Sequence, residues 1–225
     1  MERRSVALDG PAGAGKSTLA RRVAEHFGFI YVDTGALYRS VGLFVFQNNI
    51  DPGDAAGVSA LLPRIILDME YDKSGTQRMF LCGEDVTEAI RMPEISKYAS
   101  DVSAMPEVRA FLLDMQRDMA VKYDVLMDGR DIGTVVLPDA GLKIFITADA
   151  DVRANRRYLE LIAKGVNTTF EEVKNEMISR DKNDSEREIA PLKATDDAVI
   201  LDTTDLDLDE SFAAICSIIS GRFGE

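Results

Sequence analysis

The stretch that most constrains this chain is Gly10-Pro11-Ala12-Gly13-Ala14-Gly15-Lys16-Ser17, which reads G-x-x-x-x-G-K-S. Before it, Ser5-Val6-Ala7-Leu8-Asp9 is a short apolar run of the kind that forms a buried strand. After it, Leu19, Ala20, Val23 and Ala24 fall at helical spacing, and Gly28 can take the left-handed C-cap conformation behind Phe27. The glycine loop therefore joins a strand to a helix N-terminus, where free N–H groups and the helix dipole favour a polyphosphate. Gly10, Gly13 and Gly15 let the backbone curl closely around phosphate. Lys16 should reach the β- and γ-phosphates, and the Ser17 hydroxyl should bind Mg²⁺. The expected triphosphate-binding segment runs from Gly10 to Thr18 and includes Pro11, Ala12 and Ala14.

Composition narrows the class. The 225 residues suffice for one well-cored domain, and 46% hydrophobic with 29% charged residues is a globular, ordered balance. A formal charge of −13 argues against a nucleic-acid partner through bulk electrostatics. Cys82 and Cys216 are far apart and lack metal-ligand spacing, which fits free thiols in a reducing compartment. No signal-peptide pattern and no apolar run of membrane-spanning length is visible, so the expectation is a cytoplasmic protein without a membrane partner. His26 is the only histidine and sits at a helix end, so neither a histidine-based triad nor a histidine zinc site is expected.

Strand and helix signals alternate along the chain. Phe29–Val32 reads as a strand and Asp33-Thr34-Gly35 as a turn into a helix from about Ala36 to Asn48. A short helical piece follows around Val58–Leu62. Ile65–Tyr71 and Arg78–Cys82 then flank Asp72-Lys73-Ser74-Gly75, a strand–turn–strand signal, with Gly83-Glu84-Asp85 closing the second strand. Helices are expected over Pro93–Ala104 and Pro106–Val121, strands over Asp124–Met127 and Leu142–Ile146, and helices over Asp151–Lys164 and Phe170–Lys182. Thr168 or Thr169 should cap the last of these. Ala198–Leu201 is the last strand and Asp209–Arg222 the last helix. The alternation predicts an α/β fold, a parallel sheet with helices on both faces, interrupted by a small antiparallel β insert.

A glycine loop alone does not name the group that receives phosphate. The guanine-reading N-K-x-D tetrapeptide is absent, whereas arginines recur at element ends: Arg39, Arg109, Arg130, Arg153, Arg156, Arg157, Arg180 and Arg187. The planar guanidinium fork suits phosphate and carboxylate oxygens. Arg130 stands out, in a glycine-flanked turn at the end of a buried strand, the edge where ligands bind in parallel sheets. Arg21, Arg22 and Arg117 read instead as solvated helix-face residues.

Gly10–Ser17, Asp33-Thr34-Gly35-Ala36-Leu37-Tyr38-Arg39, Asp128-Gly129-Arg130-Asp131-Ile132-Gly133-Thr134 and Arg180-Asp181…Asp184…Arg187…Ala190-Pro191-Leu192 together resemble the bacterial cytidylate kinase family. The order and spacing match from about residue 5 to residue 220. The resemblance implies a P-loop nucleoside monophosphate kinase that transfers phosphoryl from ATP to CMP or dCMP with Mg²⁺. It also implies a monomer made of a single domain, 1–225, with its core at 1–60 and 88–225, the insert at about 64–87 and a lid at about 153–187.

Carried over by position, the resemblance puts Arg39, Arg130 and Arg180 on the CMP phosphate, with Thr34 and Tyr38 beside it. Ser100, Arg109 and Asp131 would face cytosine, and Asp184 and Arg187 the sugar. Arg153, Arg156 and Arg157 resemble lid arginines that act in catalysis with Lys16, Arg130 and Asp128. Asp128 would either position a Mg²⁺-bound water or orient Arg130. Two departures from the family pattern are Thr34 where many relatives carry serine, and Lys182, Asn183 and Ser185 where some carry arginines. The competing readings are a kinase for UMP, dTMP or a hydroxylated metabolite, and a regulatory P-loop nucleotide switch.

Overall fold

The computed structural model describes residues 3–72 and 75–224. The tip of the expected turn, Lys73 and Ser74, lies outside the described residues. Among the described residues the chain forms strands β1 (Ser5–Asp9), β2 (Ile30–Asp33), β3 (Leu67–Tyr71), β4 (Gln77–Leu81), β5 (Glu84–Asp85), β6 (Val125–Gly129), β7 (Leu142–Thr147) and β8 (Val199–Asp202). The helices are α1 (Lys16–Phe27), α2 (Thr34–Gln47), α3 (Ala55–Leu61), α4 (Pro93–Val102), α5 (Pro106–Lys122), α6 (Ala150–Ala163), α7 (Phe170–Glu186) and α8 (Leu208–Phe223).

Five strands pair in parallel in the order β2-β6-β1-β7-β8, which leaves the glycine loop at the end of the central strand. Alternate residues of β1 feed opposite faces. Val6 and Leu8 pack with Leu19, Val23, Ile215 and Ile219 of α1 and α8. Ala7 faces the other way, with Val32, Val125, Met127 and Ile132. Burial on both faces is why these strands read as continuous apolar runs. A third cluster joins α2, α4 and α5 to the insert through Leu37, Val41, Leu67, Met79, Ile95 and Leu112.

The insert is a separate antiparallel sheet of order β3-β4-β5, as the hairpin signal implied. Its third strand, Glu84–Asp85, replaces the simple end expected for the second, and both residues are exposed, so no apolar alternation marks it. A second difference concerns Asp33-Thr34-Gly35. No turn separates strand from helix there: the Asp33 carboxylate caps α2 directly by accepting from Ala36 N–H at 3.0 Å. A third is a π-helical turn at Ile132–Val136, between the expected strands Asp124–Met127 and Leu142–Ile146, where the pattern predicts no element. At α7 the capping expectation holds, with Thr169 and Glu172 forming a reciprocal capping box.

Helices α2, α3, α6, α7 and α8 each start on a side chain that accepts from the first-turn amides, and α4 and α5 start with proline. Helix α1 starts at Gly15 (φ 77°) with no capping side chain, so its leading N–H groups remain available to an anion. Gly10, with φ 150°, passes so close under β7 that an added Cβ would lie 2.0 Å from the Ile146 carbonyl oxygen. Gly10→Ala should therefore destabilise the protein by about 2–4 kcal/mol through strain and backbone displacement. Chemical denaturation of the variant checks this, and a midpoint equal to wild type would refute the close packing.

Candidate active site

The carboxyl edge of the parallel sheet carries three aspartates. Strand register sets Asp33 beside Asp128 and Asp9 beside Gly129, so β2, β6 and β1 end together. Asp9 is 5% exposed and accepts two backbone N–H groups, from Ile132 and Gly133, each at 2.8 Å. Those bonds hold the π-helical turn, and with it the segment carrying Asp128, Arg130 and Asp131. Burial pushes the Asp9 carboxyl up to about 6, although its two amide donors and the charge of Lys16 pull the other way. Asp9 was hidden in the sequence within an apolar run. The available signal was a charged residue ending a buried strand on the ligand-facing edge.

Lys16 is buried, and its ammonium donates to the Pro11 carbonyl at 2.7 Å. Burial, followed by the charge of Arg130, pushes it down to about 7; Arg180 acts in the same sense. Arg180 is itself pushed down to about 10, by burial first and then by Arg130, with Arg39 adding to the repulsion. Arg130, at the end of β6, and Arg180, on α7, thus stand near enough to the glycine-loop lysine to lower its pKa, and Arg39, on α2, stands near enough to Arg180 to lower that one. Arg39 Nε, Arg180 Nε and the Ser100 hydroxyl are buried without a hydrogen-bond partner among the described residues. Buried donors of this kind ordinarily find an acceptor, and a nucleotide's oxygens would supply it.

The arginines are aimed by carboxylates. Arg39 donates to Asp33 at 2.7 Å, and Arg130 Nε to Asp184 at 2.9 Å. Arg109 and Arg187 clamp Asp131 from two sides, Arg187 at 3.1 Å, and Arg109 also lies 5.7 Å from the Tyr38 ring centre. Arg109 further donates to the Ser103 carbonyl at 3.2 Å, which places this trio beside the helix carrying Ser100. Asp184 and Arg187, assigned by position to a sugar, are built into the arginine frame in this structure: their closest approach is 4.0 Å. Thr34 donates its hydroxyl to the Asp128 carbonyl at 2.7 Å, so it fastens β6 to α2. The Asp128 carboxylate accepts from the Tyr31 hydroxyl at 3.2 Å and faces Ser17; burial raises its pKa, and Asp33 adds to the effect.

On the loop's other side, Arg153 donates to the Ala12 carbonyl at 2.8 Å and pairs with Asp181, whose other oxygen accepts from Ala12 N–H at 3.1 Å. Arg156 and Arg157 do not join them. Arg156 donates to the carbonyls of Thr203 and Leu206 at 2.7 and 3.0 Å, and Arg157 pairs with Glu160 one helical turn away. At i+3 and i+4 from Arg153 they sit on its side of α6, and it is their partners at Thr203, Leu206 and Glu160 that draw them away from the loop, which the arginine pattern alone does not reveal. Arg117, read as a solvated residue, donates to the carbonyls of Val135 and Val136 and so closes the π-helical turn. Arg22 likewise pairs with Asp209 and lies over Phe212.

The sequence model of cytidylate kinase matches residues 6–221. The chain belongs to the cytidylate kinase family. A cytidylate kinase of Caldicellulosiruptor bescii is 50% identical over 210 residues, covering 93% of this chain and 92% of its own. One from Lactobacillus johnsonii is 47% identical over 217 residues, covering 96% of this chain and 94% of its own. The fold is shared with a crystal structure of an uncharacterized protein from Eubacterium ventriosum, at a TM-score of 0.54 and 15% identity over 98% of this chain and 99% of that one. Among the described residues no helix is long and apolar enough to cross a membrane.

Asp9 gives a pH test of this site. Its folded pKa of about 6 lies above the ordinary 3.8, so between those values the folded state holds a proton that the unfolded state has lost. Its contribution to stability therefore falls as pH rises from about 4 to about 6, by up to roughly 3 kcal/mol. Asp9→Asn should gain stability relative to wild type across that window. Denaturation midpoints of both proteins at several pH values check the sign, and a difference independent of pH would contradict it.

Proposed function

We propose that this chain transfers the γ-phosphoryl group of ATP to CMP and dCMP, releasing ADP with CDP or dCDP. The carrying observation is the cluster of Arg130 and Arg180 near Lys16 with Arg39 next to Arg180, in which Arg39 Nε and Arg180 Nε are buried without a hydrogen-bond partner among the described residues, an anion site additional to the glycine loop. A regulatory switch needs no such site. Relatives named cytidylate kinase at 47–50% identity support the choice of acceptor.

In the proposed reaction an oxygen of the acceptor monophosphate attacks the γ-phosphorus. The bond from that phosphorus to the β-bridging oxygen breaks, and ADP leaves with the electron pair. Little covalent work falls to the protein; alignment and charge neutralisation dominate. The segment Gly10–Thr18 cradles the ATP phosphates, and Lys16 stabilises charge on the transferring group. Arg39, Arg130 and Arg180 hold the acceptor phosphate, with Thr34 and Tyr38 as supports. The hard oxygen donors of Ser17 and Asp128 suit Mg²⁺, which keeps several waters when bound by few side chains. When bound, Mg²⁺ would offset charge between the β- and γ-phosphates. Arg130 is already oriented by Asp184, so the metal-side role is the one assigned to Asp128. Arg153 completes the proposed machinery beside the glycine loop, and Arg156 and Arg157, bonded in this structure to Thr203, Leu206 and Glu160, are proposed with it as lid arginines.

Base choice is assigned to Ser100, Arg109 and Asp131. Cytosine offers an amino donor at N4 and acceptors at N3 and O2; uracil reverses the pattern at positions 3 and 4. A carboxylate accepting from N4 and a guanidinium donating to N3 and O2 therefore select cytosine. Arg109 and Arg187 take one lone pair from each Asp131 oxygen, which leaves acceptor capacity for N4. We further assign residues 64–87 as an acceptor-side insert and 153–187 as the lid of a single domain, acting as a cytoplasmic monomer.

Coupled ADP release with CMP, dCMP, UMP and dTMP in turn tests the reading; activity confined to an acceptor other than a cytidine nucleotide would overturn it. Lys16→Ala should lower kcat by roughly 10²–10³-fold with the fold intact, by analogy with the loss of one preorganised charge-stabilising donor. A variant keeping more than about a tenth of kcat would contradict that loss. Asp131→Asn should narrow the CMP:UMP ratio of kcat/KM, chiefly by losing about 1–3 kcal/mol of CMP discrimination. If both acceptors lose activity in proportion at saturating ATP, base reading lies elsewhere.

A further inference from the structure

The insert is joined to the parallel sheet by side chains. Strand β2 is an outer strand, paired with β6 on one side only. On its open side Gln77, the first residue of β4 and 6% exposed, takes the place of a neighbouring strand. Its Oε1 accepts from Asp33 N–H at 2.8 Å, and its Nε2 donates to the Asp33 carbonyl at 3.3 Å. Tyr71 of β3 adds a third tie by donating its hydroxyl to the Tyr31 carbonyl at 3.0 Å. Outer-strand backbone groups left buried and unpaired are costly, so these ties fix the end of β2 strongly.

Asp33 then passes that position on. Its carboxylate caps α2 through Ala36 N–H and holds Arg39 Nη2. Burial is the largest influence and would raise its pKa, but the charge and hydrogen bond of Arg39, the Ala36 amide and the charge of Arg91 together outweigh it and hold the carboxyl below the usual aspartate value. Arg39 has a long flexible stem, and the observed aim depends on where the Asp33 carboxylate stands. The chain of contacts is Gln77 amide, Asp33 backbone, Asp33 carboxylate, Arg39 guanidinium. Asp33 also stands in register beside Asp128, but the hydrogen bonds from Gln77 go to its backbone and those of its carboxylate to Ala36 and Arg39.

We propose that Gln77, seconded by Tyr71, is a positioning residue for the acceptor phosphate: it sets Arg39 through Asp33, so the insert tunes acceptor affinity. The inference rests on the assignment of Arg39 to the acceptor phosphate. A merely structural tie would lower stability or affect both substrates alike. A positioning role makes the effect selective for one substrate and dependent on Arg39.

The test is a double-mutant cycle read as KM for CMP and KM for ATP. Gln77→Leu keeps an apolar bulk and removes both ties to Asp33. Its KM for CMP should rise roughly tenfold, with KM for ATP changed by less than about twofold, the loss expected of two hydrogen bonds acting through an intermediary. In an Arg39→Ala background the same substitution should add less than about a further twofold. Should Gln77→Leu fail to fold, Tyr71→Phe keeps the ring and loses one tie, and a smaller rise, again selective for CMP, is expected. Equal effects on both substrates, full additivity with Arg39→Ala, or an unchanged KM for CMP in the folded variant overturns the inference. Arg39→Ala alone separates the two levels of the argument. If it leaves KM for CMP unchanged, the acceptor assignment fails and the inference falls with it; if it raises KM while the insert variants do not, the inference alone fails.

Discussion

Like charges held side by side in a partly dry cleft repel one another, and much of this structure exists to contain that repulsion. Burial and then the charges of Arg130 and Arg180 push the Lys16 ammonium down, and burial with Arg130 does the same to Arg180, whereas against burial the Arg130 guanidinium is held above its usual value by Asp184. The compensating carboxylates stand behind the cations. Asp184 braces Arg130, Asp33 braces Arg39, and Asp131 is shared between Arg109 and Arg187. Each brace fixes a guanidinium's direction while leaving other donors of its fork free. A protein of net charge −13 can thus present a strongly cationic surface to two nucleotides.

The sheet makes this containment compact. Three strands ending in register bring Asp9, Asp33 and Asp128 to one edge, and each does a different task. Asp9 takes up amides of the π-helical turn, Asp33 caps a helix and aims an arginine, and Asp128 faces the serine of the glycine loop. Desolvation raises the carboxyls of Asp9 and Asp128, whereas a paired guanidinium lowers that of Asp33. Three identical side chains a strand apart are thereby given separate proton affinities by their neighbours alone.

The sequence was most legible where chemistry is local. The glycine loop, the buried strands and the Thr169 capping box each announce themselves within a few residues, and the structure has them where the pattern places them. The arginine-bearing motifs were likewise visible as motifs. What could not be read was made by partners distant in sequence. The π-helical turn at Ile132–Val136 depends on Asp9, more than a hundred residues away, and on Arg117 from α5. The start of α2 was missed because Asp33 is both the last residue of a strand and the cap of a helix, two signals that compete at one position. Arginine content alone could not separate Arg153, on the glycine loop, from Arg156 and Arg157, which turn to Thr203 and Glu160.

Helix α7 shows how the donor and acceptor sides are tied together. Arg180, Asp184 and Arg187 recur at helical spacing and so share one face, directed at Arg130 and Asp131. Asp181, next to Arg180, reaches the glycine loop through Ala12 N–H and pairs with Arg153 of α6. Met177, one turn earlier, covers Gly13 so closely that an added Cβ would lie 2.6 Å from its terminal methyl. A helix behaves as a rigid rod over such a length, so it cannot retreat from the glycine loop while keeping its carboxylate on Arg130. Any movement of α7 must therefore alter the glycine-loop contacts and the brace on Arg130 together, whereas the insert reaches the site through Gln77 and Asp33. Helix α7 and the insert thus reach the site through different sets of contacts, and their effects are separable for that reason.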